Sequence, residues 1–362
     1  MLGLPVLDTW VSSEACLYPN RLGMRISHLL AVGLVMLATA AHARGEPDGS
    51  EPPAGGLPPA LIATLTALGA ASGVPDGLGI VWEPARPVAG QPATLSLINT
   101  NAGLTIPVWT SPDEGVFATG SVRGLFANGG AFLPTDRVAF PAALWDIQAG
   151  GAYVRQVGEG QSCGVFLAGG TASDRPFHSV HEATISGFAF WRSQPSADHA
   201  WLLYVASVTN GQLGQNIPIP GIAYEIHIEE LNAIIGFPFL SAVYRPEDQY
   251  EFEVNYAAFT DVRSLGRMRV ADGLQLFGGF SWVSQSWFRA ERSDHRAQLF
   301  WYEKRLEGGA VLTEWAHAHI DLSGGYAFDR YFLEARDFTL NGRNHTGLAP
   351  GPFLHLQIEL QF

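Results

Sequence analysis

Strict alternation of apolar and polar residues over long stretches is the feature that most restricts how this chain folds. Between residues 250 and 256, apolar side chains alternate with Glu251, Glu253 and Asn255. Successive side chains of a β-strand point to opposite faces, so this stretch predicts a ribbon with one apolar and one polar face. Isolated charges are costly inside an apolar core, so the polar face must contact water.

The same pattern recurs around residues 224–229 and 315–323, with noisier segments such as 297–311, and several of these segments reach ten residues or more. Globular strands average about 5–6 residues, whereas a tilted membrane strand needs about 9–11. A closed barrel buries its apolar outer face in lipid and keeps water or polar networks inside. The candidates for lumen-lining polar residues are Glu225, His227, Glu229, Glu251, Glu253, Glu303, Arg305, His317, His319 and Asp321.

No convincing helix follows residue 80, and strand-like segments are separated by Gly, Pro, Asn and Asp. We therefore predict an all-β fold, an antiparallel transmembrane β-barrel of about 12 strands, within a range of about 10–14. The barrel is expected to span residues 80–362. Because alternation also occurs in sheets with one wet face, a soluble secreted β-sandwich that binds carbohydrate is the alternative fold.

The N-terminal region has the pattern of an export signal. Arg25 and His28 precede an apolar run, and Ala41–Ala43 fits a small-x-small cleavage site. We expect Met24 to be the true start, cleavage after Ala43, and a signal region over 1–43. Residues 44–79 are expected to be a flexible linker with a possible short helix at 60–71, which could serve as a plug or an interface helix.

Charge and cysteine content exclude several classes of function. The formal net charge of -13 argues against a nucleic-acid partner, which needs clustered Lys and Arg. Cys163 is the one cysteine after the signal region, so neither an internal disulfide nor a cysteine-based metal site is expected. We expect no cofactor and no metal.

The last twelve residues, GPFLHLQIELQF, alternate and end on an aromatic residue. This ending resembles the carboxy-terminal signal strand of bacterial outer-membrane β-barrels, which the barrel-assembly machinery reads. The matching positions are Leu354, Leu356, Ile358, Leu360 and Phe362. The resemblance implies outer-membrane lipid and that machinery as partners, and we expect this strand to pair with the first strand and close the barrel.

A second resemblance covers roughly residues 215–362. The segments IPIPGIAYE, AIIGFPFLSAVYRPED, FWYEKRLEGG and LSGGYAFDRYF are similar to those of a family of bacterial proteins of unknown function, expected to be outer-membrane barrels. That family carries no established activity, so the resemblance implies a fold and a location in the bacterial outer membrane but no site residues.

Two side-chain groups admit both a structural and a functional interpretation. His317, His319 and Asp321 share one strand face and could contribute to a metal site, although polar lumen residues in a hydrogen-bond network are the simpler interpretation. Glu303 and Arg305 are interpreted as ion-pair partners in the lumen, matched by the nearby residues Glu251, Glu253, Arg267 and Arg269.

Aromatic residues near the predicted strand ends could form an interfacial girdle, or they could simply pack within the barrel. They are Trp282, Trp287, Phe288, Trp301, Tyr302, Trp315, Tyr326, Tyr331 and Phe332.

The expected function is a porin-like pore for small solutes or a structural envelope component. We do not expect an enzyme, because no GxSxG elbow or other fixed spacing singles out a nucleophile. A membrane-embedded lipid-modifying enzyme nevertheless stays an alternative.

Overall fold

The computed structural model describes residues 77–360, except 213–214, 258–260, 316–317 and 338–341. The expected signal region, most of the linker with its possible helix, His317 and Phe362 lie outside the described residues. The side chains of Trp315 and Leu360 also lie outside the described part of the chain.

The described residues form nineteen strands and one short 3-10 helix, Val180–Glu182. The strands are β1 (Gly77–Pro87), β2 (Thr94–Thr110), β3 (Glu114–Gly129), β4 (Phe132–Leu133), β5 (Val138–Ala139), β6 (Ala143–Gly158), β7 (Gln161–Ser173), β8 (Ala183–Ser196), β9 (His199–Val208), β10 (Ile219–Ile228), β11 (Leu231–Phe237), β12 (Phe239–Glu247), β13 (Tyr250–Ala257), β14 (Asp261–Ala271), β15 (Leu274–Trp287), β16 (Gln298–Trp315), β17 (Ala318–Ala335), β18 (Arg343–Leu348) and β19 (Gly351–Leu360).

One antiparallel sheet closes on itself to form a barrel. Each wall strand pairs with the next along the chain, and β1 pairs with both β2 and β19. Since β18 and β19 both pair with β17 and follow one another along it, they are two pieces of one wall strand. The wall therefore has sixteen strands, and β4 and β5 form a separate small hairpin. Closure excludes the two-sheet sandwich and confirms the predicted class of fold.

The predicted count of about 12 strands is too low. In the sequence, residues 231–244 look like a single strand, but the chain reverses at Pro238 between β11 and β12. The stretch 267–285 likewise contains the two-residue turn at 272–273 between β14 and β15. A reversal of one or two residues hardly interrupts the apolar pattern. Two neighbouring strands therefore look like one strand in the sequence, and the predicted count is too low.

The two ends of the barrel differ in their connections. At one end, here the turn end, adjacent strands are joined by two or three residues, as at 111–113, 159–160 and 197–198. At the other, here the loop end, the connections include the longer segments 130–142 and 288–297. Short turns on one side and long loops on the other are typical of outer-membrane barrels.

Apolar side chains stand exposed on the outer face. Along β13, the outward Phe252 is 50% exposed and Tyr256 42% exposed, whereas the inward Glu251 and Glu253 are partly buried. Leu203 and Leu354, on other strands, are 52% and 55% exposed on the same face. Water-soluble monomers rarely expose apolar surface over so many adjacent strands.

Half of the lumen near the loop end is filled by an apolar core, here called the packed half. Inward side chains of β2, β3 and β6, such as Leu97, Leu125 and Leu144, pack in one cluster with Trp301 of β16 and Phe332 of β17. These side chains are at most 1% exposed. The connection 130–142 adds Ala131, Leu133 and Phe140 to the cluster.

Opposite walls meet directly beside this core. The Phe288 amide donates to the carbonyl of Ala172 at 2.8 Å, and Ser173 forms an isolated bridge with Phe288. β7 and β15 are thus joined across the lumen, with the seven strands β8–β14 between them on one side. The inner face of β8–β14 is here called the hollow half.

Among the described residues, no helix is long and apolar enough to cross a membrane.

Candidate functional site

The hollow half is distinguished by inward side chains that keep part of their surface exposed. Phe188 of β8, Ile234 of β11, Ser241 of β12, Asn255 of β13 and Arg263 of β14 all point inward and are partly exposed. In the packed half, equivalent inward residues are almost completely buried. Solvent therefore reaches the lumen at these positions, whereas Phe190, Leu202 and Ala223 of β8–β10 are buried in a second apolar cluster with Tyr204.

Three aromatic rings form a continuous apolar surface on this wall, here called the aromatic shelf and made of Phe188, Tyr204 and Phe239. The rings of Phe188 and Tyr204 stack with centroids 5.4 Å apart, and those of Tyr204 and Phe239 lie 5.1 Å apart. Tyr204 is 7% exposed, whereas Phe188 and Phe239 keep more of their surface open. The rings of Phe188 and Phe239 are therefore open to the lumen, and the Tyr204 ring that contacts both of them is buried.

The shelf depends on a glycine of the neighbouring strand. Tyr204 on β9 pairs with Gly221 on β10, and a Cβ atom at Gly221 would lie 2.0 Å from the Tyr204 Cζ. The ring therefore lies flat across β10, and its hydroxyl donates to the carbonyl of Phe237 at the end of β11. This geometry explains how side chains from β9 and β12 touch although two strands separate them.

A polar strip continues from the shelf around the wall. The Ser241 hydroxyl donates to the Asn255 Oδ1 at 2.6 Å, and the Asn255 amide donates to Glu253. Arg267 forms ion pairs at 2.5 Å with both Glu251 and Glu253. The wall of the hollow half therefore carries the aromatic shelf on β8, β9 and β12 and charged side chains on β13 and β14.

Glu303 and Arg305 belong to a buried group of four charges, here called the charged cluster. Glu303 pairs with Arg305 and with Arg330, the latter at 2.8 Å, and Glu83 of β1 contacts both arginines. All four side chains are at most 10% exposed. The pairing of Glu303 with Arg305 is as expected, but Glu83 and Arg330 complete the cluster rather than residues of β13 and β14.

Two other predicted lumen residues, Glu225 and His227, contact each other on β10 near the turn end. Glu225 accepts from the Arg192 Nε at 2.8 Å and lies 3.2 Å from His227 Nε2. Glu229 differs from the prediction, because it lies in the turn after β10 and is exposed.

His319 and Asp321 lie on the inner face of β17, opposite Glu359 and Gln357 of β19. Within the described parts of the chain, no group of three or more His, Cys, Asp or Glu side chains could hold a metal ion.

The terminal strand occupies the predicted closing position. Leu354, Leu356 and Ile358 point outward from β19 and pair with residues of both β1 and β17. His355 and Gln357 point inward between them.

A polar network fixes the connection 130–142 over the packed half at the loop end. The Asn344 Oδ1 accepts from the amides of Thr135 and Asp136 at 3.0 and 3.1 Å, and Asp136 pairs with Arg289 and Arg343. Burial raises the pKa of the Asp136 carboxyl, but the hydrogen bond from Asn344 and the two guanidinium charges outweigh it, so this pKa lies below its ordinary value.

The sequence did not single out the residues of the shelf. Segments 200–208 and 183–192 predict strands, but both of their faces are apolar around Leu203 and Tyr204, so periodicity alone does not say which face is inside. The expected girdle is wrong for Trp287, Trp301 and Phe332, which are at most 2% exposed and pack in the apolar core.

The fold and its two faces define a large, closed, all-β antiparallel barrel with an apolar outside and a partly hollow inside. No protein family matches the chain, and no curated protein sequence matches it. Three solved structures with remote similarity are a mutant of the TodX monoaromatic hydrocarbon channel, the NanC porin and a bacterial polysaccharide outer membrane secretin.

The similarity to the TodX channel has a TM-score of 0.35 at 10% identity and covers 79% of this chain and 89% of that one. For the NanC porin the TM-score is 0.25 at 8% identity, covering 79% and 100%. For the secretin it is 0.28 at 12% identity, covering 79% and 97%. Similarities this remote do not identify a ligand.

Proposed function

We propose that this chain is an outer-membrane β-barrel pore that passes small solutes through the hollow half of its lumen. The observation that carries the proposal is the contrast between the two faces of β8–β14. Their outer face exposes residues such as Leu203 and Phe252, while their inner face keeps Ser241 and Asn255 in contact with solvent. Lipid outside and water inside is the environment that such a wall needs.

The path runs beside the apolar core rather than through it. The packed half and the bridge between β7 and β15 block one side of the loop end. On the other side, the single residue Pro238 joins β11 and β12. A solute therefore enters beside this short connection, passes the aromatic shelf and the polar strip, and leaves at the turn end.

The location and partners belong to the same proposal. Outer-membrane lipid covers the apolar face, export uses the N-terminal signal, and the barrel-assembly machinery reads the terminal strand that ends at Phe362. Membership of the uncharacterised barrel family, suggested by residues 215–362, and the absence of enzymatic activity also stay proposals.

Bilayer recording tests the pore directly. The full chain, inserted into planar lipid bilayers, is expected to give stepwise currents in potassium chloride because a water-filled path crosses the barrel. Heat-modifiable gel migration of the same preparation verifies that the barrel is folded. Folded, inserted protein that carries no current contradicts the proposal.

A further inference from the structure

The rim of the hollow half between β11 and β12 is made of three apolar residues, here called the apolar rim. Phe237 ends β11 with its side chain on the outer face, where it is 63% exposed, and Pro238 forms the turn. Phe239 begins β12 with its side chain inward, as part of the aromatic shelf. An apolar surface therefore runs from the outside of the barrel, over the rim, to the shelf.

Other connections of the barrel differ from the apolar rim because they carry charges. At the turn end of the same wall, Glu229, Glu230 and Asp248 lie in two-residue connections and are exposed. At the loop end, the connections 174–182 and 288–297 also contain several charged side chains. Charged connections need contact with water, whereas the side chains of the apolar rim do not.

The backbone of the apolar rim is also suited to lipid. The Phe237 carbonyl accepts a hydrogen bond from the Tyr204 hydroxyl, and Pro238 has no amide hydrogen. Where water is excluded, each backbone polar group needs a partner within the protein. The rim meets this requirement at the Phe237 carbonyl and at the Pro238 nitrogen without solvent.

The wall beneath the apolar rim is too short to cross the apolar part of a bilayer. β11 has seven residues and β13 has eight, whereas β16 and β17 have eighteen each. Seven residues extend about 23 Å along a strand, or about 18 Å along the bilayer normal at a tilt of about 40°. The apolar band of an outer-membrane barrel is about 25 Å tall. With its charged turn end at the water interface, this wall ends inside the hydrocarbon.

We propose that the apolar rim opens the aromatic shelf to the hydrocarbon of the bilayer, and that uncharged apolar molecules dissolved there move over it into the lumen. Ile222 and Ile235, which are 50% and 49% exposed, lead along the outer face to Phe237. Phe239 and Phe188 receive the molecule on the inner face. A charged solute would lose its hydration at this rim, whereas an apolar one does not. The inference rests on the proposed pore for the onward path and names its substrate class.

The depth of the apolar rim is measured with a fluorescent label. In a chain with Cys163→Ser, Phe237→Cys carries a nitrobenzoxadiazole group, and Val180→Cys in the charged connection 174–182 is the matched control. The barrel is reconstituted in vesicles that contain lipids with a nitroxide on the acyl chain. We expect these lipids to quench the label at position 237 at least about threefold more strongly than at position 180, and aqueous iodide to show the reverse order. Equal quenching by iodide at the two positions overturns the inference.

Entry of an apolar molecule is measured by photolabelling. An adamantane diazirine dissolved in the vesicle lipid reacts on illumination, and mass spectrometry identifies the labelled residues. We expect Phe188 on the inner face of β8 to be labelled, and the buried Leu125 of the packed half to stay unlabelled. Phe237→Glu places a carboxylate at the rim and is expected to reduce labelling of Phe188 at least about threefold. Val180→Glu is the matched control with no change, and labelling of Leu203 on the outer face reports the amount of probe in the lipid.

Labelling of Phe188 that is absent, or that Phe237→Glu leaves unchanged in the folded barrel, overturns the inference. Heat-modifiable migration verifies folding, and the depth measurement decides alone if Phe237→Glu does not fold. Potassium currents recorded from the same preparation report separately on the pore. A conducting barrel with an unlabelled shelf leaves the proposed function intact, and a labelled shelf without current contradicts the water-filled pore alone.

Discussion

Replacing Arg330 with methionine is expected to lower the free energy of unfolding by about 3–5 kcal/mol, because it removes one of the two arginines that neutralise a buried pair of carboxylates. The Arg330 side chain is 1% exposed, donates to Glu303 at 2.8 Å and also contacts Glu83. Its guanidinium lies 5.6 Å from the centre of the Trp301 ring, so the variant also disturbs the edge of the apolar core. Urea unfolding of the barrel in lipid vesicles, followed by tryptophan fluorescence, measures the change.

The matched control is Arg175→Met in the connection after β7. Arg175 pairs with Glu291 at 2.7 Å, but the two side chains are 51% and 71% exposed at the loop end. An exposed pair contributes at most about 1 kcal/mol, so this variant should differ little from the parent chain. Adding Glu303→Gln to Arg330→Met is expected to recover part of the loss, since it removes one uncompensated charge. Equal effects of the two single variants contradict the buried cluster.

Replacing Asn255 with tryptophan is expected to reduce the single-channel conductance at least about twofold, because an indole fills part of the open lumen. Asn255 points inward from β13, between Ser241 and Arg263 of the adjacent strands. Planar-bilayer recording in potassium chloride gives the conductance, and heat-modifiable migration verifies folding.

Ser264→Trp is the matched control for this block. Ser264 is on β14 opposite Val254, points outward and is exposed, so its indole enters the lipid rather than the lumen. We expect the conductance of this variant to equal that of the parent. If Ser264→Trp reduces the current as much as Asn255→Trp, the assignment of the two faces is wrong.

Alternation in the sequence correctly predicted the wall wherever one face contacts solvent and the other is apolar. On β13 and β19 the pattern gives the class of fold, the inward side of Glu251 and the closing contact of Leu354 with β1. It is reliable there because a register error of one residue would place every charge on the lipid side.

Alternation failed where both faces are apolar. Residues 299–302 read as a continuous apolar run, since Trp301 packs inside while Phe300 and Tyr302 belong to a separate cluster on the other side. The packed half was therefore not predictable from periodicity. The aromatic shelf was also hidden, because Tyr204 and Phe239 are far apart in sequence and meet only where Gly221 leaves room.

Cysteine accessibility tests the division of the lumen most directly. Cys163 is first replaced with serine, and Ser241→Cys in the hollow half is compared with Ala172→Cys in the packed half, where the native side chain is 0% exposed. A methanethiosulfonate reagent that carries a trimethylammonium group should modify Cys at position 241 in the folded barrel and reduce its current. The same reagent should leave position 172 unmodified until the barrel is denatured. Equal modification of both positions, or none at position 241, contradicts a lumen that is packed on one side and open along β8–β14.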